Sequence, residues 1–71
     1  MKELAQRIRK AWKKVHYAAE PYLQAMEELE NINDNYYCDR GDDIVRRFLC
    51  NASTFRGQEA RDIKKELRSM L

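Results

Sequence analysis

The feature that most constrains this chain is a stripe of apolar residues that keeps helical spacing across its first half. Leu4, Ala11, Ala18, Ala25 and Ile32 recur every seven residues. Ile8, Val15, Tyr22 and Leu29 form a second row, and Trp12, Ala19 and Met26 a third beside it. Residues spaced in this way share one face of an α-helix, with Lys, Arg, Gln and Glu on the others. The register runs unbroken across Pro21, although an interior proline removes a backbone donor and clashes with the preceding turn. Proline also suits the first turn of a new helix. The unbroken register predicts one helix over about residues 3–32, kinked at Pro21; two helices meeting at Glu20–Pro21 is the alternative.

The rest of the chain reads as two shorter helices. Asn31, Asn33, Asp34 and Asn35 compete for the backbone and favour turns, so a loop is expected over about 33–41, ending where Gly41 allows a positive φ. Asp42 is the expected N-cap of a helix over about 43–52, with Asp43 in its first turn, where the helix dipole favours an anion. Ile44, Val45, Phe48, Leu49 and Ala52 mark its buried face. Phe55 anchors the following turn, Ser53 or Thr54 caps what comes next, and a third helix is expected over about 57–70. Its core side carries Ala60, Ile63, Leu67 and Met70 or Leu71. The expected fold is therefore all-α, one domain over 1–71, in which a long kinked first helix packs on a two-helix hairpin. A rod of about thirty residues is roughly 45 Å long, and such a hairpin covers only part of it. Leu4, Ile8, Trp12 and Val15 would then form an uncovered apolar surface, and a homodimer through it is one expectation.

Composition excludes several classes of function. With 71 residues there is no room for a cofactor domain beside a substrate domain. No long apolar run occurs and mean hydropathy is −0.87, so no membrane span is expected. The basic start has no apolar stretch behind it, so it does not read as a secretory signal, and a cytoplasmic location is expected. Cys38, in the loop, and Cys50, in the core, are then expected as reduced thiols. With His16 they are too few for a structural zinc site. There is no glycine-rich phosphate loop, no HExxH and no paired CxxC. No enzyme activity, catalytic residue, metal, cofactor or small-molecule ligand is expected.

Charge is the remaining signal. The net charge of +2 hides three segments: six bases against Glu3 up to Lys14, eight acids against Arg40 from Val15 to Val45, and seven bases against three acids beyond. Either the basic ends fold against the acidic middle, or one pole stays exposed and steers a partner. Two candidate surfaces follow. Glu27, Glu28, Glu30, Asp34, Tyr36, Tyr37, Asp39 and Arg40 form an acidic and aromatic edge suited to a protein partner, such as a basic groove. Arg7, Lys10 and Lys14, with Arg46, Arg47, Arg56, Arg61, Lys64 and Lys65, offer basic faces suited to nucleic acid. The last two helices superficially suggest helix-turn-helix, but Gly57-Gln58-Glu59 is a poor set of base readers and Glu59 repels phosphate.

The C-terminal part also carries a specific pattern. Ile32-Asn33-Asp34-Asn35-Tyr36 is followed by Ile44-Val45-Arg46-Arg47-Phe48-Leu49-Cys50-Asn51-Ala52, then by Phe55-Arg56-Gly57 and by Ala60-Arg61-Asp62-Ile63-Lys64-Lys65-Glu66-Leu67. Over roughly residues 22–71 this resembles a group of small phage and prophage proteins. The departures are Phe55 where that pattern has Trp and Tyr37 where it has Gly, and the basic segment before Pro21 lies outside it. The resemblance implies a phage-encoded accessory protein in the cytoplasm of a bacterial host. By analogy of size and origin with anti-CRISPR proteins, it implies a binding protein that inhibits or modulates a host protein complex.

Overall fold

A computed structural model of the chain describes residues 1–37 and 39–71; Cys38 and its expected place in the loop lie outside the described residues. Four helices are present: α1 (Lys2–Ala11), α2 (Glu20–Glu28), α3 (Gly41–Cys50) and α4 (Gln58–Ser69). Between α2 and α3 lies a short antiparallel hairpin of β1 (Asn35–Tyr36) and β2 (Asp39–Arg40), with Asn35 opposite Arg40 and Tyr36 opposite Asp39. The fold is thus mostly helical, but the single kinked helix over 3–32 and the three-helix architecture are corrected.

The break falls before Pro21. Helix α1 ends at Ala11, and Trp12 leaves helical geometry at φ −108° and ψ 87°. Val15, His16 and Tyr17 follow, and β-branched and aromatic side chains lose χ1 freedom in a helix. Helix α2 then starts at Glu20 with Pro21 in its first turn, where a missing N–H costs nothing. The heptad register survives because Trp12 and Ala19 point into the core and Val15 packs against it from within the connection. Apolar spacing recorded burial there, and burial did not require helix.

Splitting the rod changes what covers it. Lys2 reaches Glu30 at 3.5 Å and Arg9 reaches Glu20 at 3.0 Å, so α1 and α2 run antiparallel. Helix α1 packs on both α2 and α4, and α3 packs on α2, in place of the expected α3–α4 hairpin lying along one half of a rod. The longest dimension is 31 Å, too short for a 45 Å rod. Leu4, Ile8 and Trp12 are buried, at 8%, 0% and 6% exposure, and Val15 is partly covered. The uncovered self-association stripe expected from these residues is therefore overturned: α2, α4, Phe48 and Phe55 cover it from within the same chain.

The centre of the core is aromatic. Trp12 stacks on Phe55 at 5.1 Å and meets Phe48 edge-on at 6.2 Å, joining the α1–α2 connection to the α3–α4 turn. Ile8, Leu23, Met26, Val45, Ile63 and Leu67 complete it, all fully buried. Cys50, expected in the core, is exposed: at 100° per residue it lies opposite the Ile44–Val45–Phe48 side of α3. Met70 and Leu71, candidates for the α4 core side, are also exposed, because the helix ends at Ser69. Leu49 is only half-buried.

Local geometry explains the helix starts. Gly57 precedes α4 at φ 107° with open space where a Cβ would stand, so its need for glycine is conformational; Ser53 and Thr54 do not cap α4. Gly41 is the opposite case. It begins α3 without a positive φ, but a Cβ there would drive into the Ile32 carbonyl and lie 2.9 Å from that of Asp34. Arg40, not Asp42, is therefore the N-cap of α3, and Asp42 sits in the first turn. No helix among the described residues is long and apolar enough to cross a membrane.

Candidate functional site

The ion pairs decide which charges remain free for a partner. Arg9 holds two carboxylates, donating to Glu20 at 3.0 and 2.5 Å and to Glu27 at 3.2 and 2.7 Å. These hydrogen bonds, Glu20 first, push the guanidinium above its ordinary range, and Arg9 holds the Glu20 carboxyl below its own. Asp34 closes the turn after α2 by accepting the backbone N–H groups of Glu30 at 3.2 Å and Asn31 at 3.1 Å. The Tyr36 hydroxyl lies against Glu28, whose hydrogen bond raises its pKa. Asp42 pairs with Arg40 at 3.2 Å and with Arg46 at 3.3 Å, and Arg46 also reaches Asp43 at 3.4 Å. Burial pushes the Asp42 carboxyl up, but Arg40, the Asp43 N–H and Arg46 together hold it below its ordinary value.

The acidic and aromatic edge read from the sequence is thus not assembled as one free surface. Glu27, Glu28, Glu30, Asp34 and Arg40 serve contacts inside the chain. Tyr37 and Asp39 remain exposed on the hairpin. Tyr37 is 85% exposed and sits at φ 57°, in the left-handed region that favours glycine.

Helix α4 divides differently. Its two acids on the α1 side, Glu59 and Glu66, both pair with Arg7, at 3.0 and 2.6 Å, and raise the Arg7 pKa through those hydrogen bonds. Asp62 accepts from the Gln58 amide at 2.9 Å. At 100° per residue, Lys64, Arg68, Arg61 and Lys65 fall within a flank about 100° wide with no acid between them. Among the described residues none of the four forms an ion pair. Like charges three and four apart repel, so this flank opposes the helix that carries it until an anion arrives.

The flank continues past the helix. Lys64 donates to the Phe55 carbonyl at 2.6 Å and lies 5.7 Å from the Phe55 ring centre. Burial first, then Arg68 and Arg56, push its ammonium pKa down. Because Phe55 stacks on Trp12, the α3–α4 turn that carries Arg56 lies against the start of the connection that carries Lys13 and Lys14. Of the basic residues read from the sequence, Lys14, Arg56, Arg61, Lys64 and Lys65 belong to this surface. Lys10 lines a cavity beside Arg7 and Glu59 instead. Arg7 and Arg46 are consumed by ion pairs, and Arg47 is exposed on α3.

Sequence reasoning missed Tyr17. It is 83% exposed and projects from the α1–α2 connection three residues beyond Lys14. The available signal was that it falls in none of the three apolar rows and follows a run of lysines. Among the described residues no group of three or more His, Cys, Asp or Glu is placed to hold a metal ion. The chain matches no family model, no curated protein and no solved structure.

Proposed function

We propose that this is a non-catalytic binding protein whose ligand is nucleic acid, taken on the basic outer flank of α4 with Arg56, Lys13 and Lys14. One observation carries the reading: α4 commits its α1-side acids to Arg7 and leaves Arg61, Lys64, Lys65 and Arg68 without an anionic partner among the described residues. Phosphates would supply the missing anions. Each phosphate neutralised releases condensed counterions, so affinity falls steeply with salt. Five such contacts predict a loss of about 100-fold for a single strand, and several hundredfold for a duplex, between about 50 and 200 mM salt. Fluorescence anisotropy of a labelled oligonucleotide at the two concentrations tests this. Binding that ignores salt, or no binding at the lower concentration, would remove nucleic acid as the ligand.

A second reading is favoured by Tyr37, an exposed aromatic residue held at an unfavourable φ on the hairpin. On this reading Tyr37 and Asp39 dock on a protein, in keeping with the inhibitor or modulator of a host complex implied by the resemblance to phage proteins. Tyr37→Gly would relax the backbone and raise the melting temperature while abolishing that docking. A partner retained equally by wild type and Tyr37→Gly would take the hairpin out of consideration.

A further inference from the structure

We infer that the nucleic acid bound by this surface is single-stranded, with a base stacked on Tyr17 and its neighbouring phosphates on Lys13, Lys14 and Arg56. This rests on the nucleic-acid reading above and specifies its ligand. Proteins that take single strands combine a basic track with an open aromatic ring, because every unpaired base offers a π-face. Tyr17 supplies such a ring. It stands just inside a turn closed by the Ala19 N–H donating to the His16 carbonyl at 2.9 Å, with the Glu20 N–H reaching the same oxygen at 3.2 Å. The connection is pinned at both ends, by Trp12 at 6% exposure and Ala19 at 0%, so the ring rides on an anchored loop. His16 meets Tyr17 at a steep 71° with ring centres 4.6 Å apart, and 83% exposure leaves ring surface open to solvent.

The charge follows the same geometry. Lys13 and Lys14 precede Tyr17 in the chain, and the Trp12–Phe55 stack sets the turn that carries Arg56, with Lys64 over the Phe55 ring, against the start of that connection. A duplex would make poor use of this arrangement. Its bases stack on one another and present only edges, so a single protruding tyrosine adds nothing to its phosphate contacts.

The test measures binding of labelled dT12, rU12 and a 12-base-pair duplex to wild type, Tyr17→Ala and Tyr17→Phe at about 50 mM salt. Tyr17→Ala is expected to weaken binding of a single strand by about 5- to 100-fold, Tyr17→Phe to retain it, and the duplex to be indifferent to both. Whichever of dT12 and rU12 binds tighter identifies DNA or RNA. Far-UV circular dichroism should show the same helix content in all three proteins, because Tyr17 contributes nothing to the core. Tighter binding of the duplex, or a Tyr17→Ala variant with unchanged affinity for both single strands, would overturn the single-strand inference while leaving the basic-flank reading in place. Absence of binding to any of the three probes would overturn both.

Discussion

Two flanks of the same helix carry opposite arrangements of charge. On the α1 side of α4, Glu59 and Glu66 share Arg7, and charge is spent on holding two helices together. On the outer side, Arg61, Lys64, Lys65 and Arg68 stand side by side with no acid between them. The two sets interleave along the sequence, so composition of the segment does not separate them. What separates them is the position of α1. Where a neighbouring helix supplies an opposite charge, the residue is structural; where solvent lies instead, the charge is available to a partner. The acidic middle of the chain gives the same lesson, since Asp34 closes a turn, Glu27 pairs with Arg9, and Asp42 pairs with Arg40 and Arg46.

The comparison can be broken most severely at the joint that both flanks depend on. Trp12→Ala removes the stack on Phe55 and leaves a cavity, and is expected to cost about 3–5 kcal/mol of stability in urea denaturation. A much smaller loss would mean that the pole is not built around this pair. Next comes the outer flank. Arg61→Glu with Arg68→Glu, both exposed, should weaken oligonucleotide binding by at least about 100-fold, since two favourable contacts become repulsive. Its denaturation midpoint should stay near that of wild type; unchanged affinity would show that phosphate does not lie along α4.

The inner flank should respond in the opposite way. Arg7→Glu places a third carboxylate beside Glu59 and Glu66, so its melting temperature should fall, by less than in Trp12→Ala, while oligonucleotide affinity holds. A variant that melts like wild type but binds poorly would reverse the assignment of the two flanks. The smallest effect is expected from acid. Arg9 holds the folded pKa of Glu20 below its unfolded value, so this pair contributes stability above the ordinary carboxylate range, near pH 4.3, and loses it as pH falls through the lowered folded value. Thermal melts of wild type and Glu20→Gln should therefore differ at pH 7 and converge in stronger acid. A difference that persists unchanged at low pH would show that the carboxylate charge is not what Arg9 uses.

Much of this was legible before any coordinates. The bounds of α3 and α4 fall within about two residues of those expected, because Asp42, Asp43 and Gly57 punctuate the chain and three- and four-residue apolar steps follow. Leu4, Ile8, Trp12, Phe48, Phe55, Ile63 and Leu67, all expected in the core, are buried. The largest failure has one cause. The first helix was drawn through residues 12–19 because inward-facing residues of a loop kept the heptad count, and a count cannot tell a helix from a connection that happens to bury the same side chains. The uncovered stripe was an arithmetic consequence of that rod. Tyr17 was passed over because it belonged to no row.

Local periodicity and turn chemistry therefore determined the class of fold and which side chains leave water, since both act over a few residues and are written in their order. Only the folded arrangement decided which charges cancel. Arg7 finds Glu59 and Glu66 more than fifty positions away, and Arg9 finds Glu20 and Glu27 only because the chain reverses between them. Coulomb attraction depends on distance in space, and no spacing in the sequence encodes which two remote helices will lie side by side. The basic flank proposed as the binding surface is the remainder of that pairing.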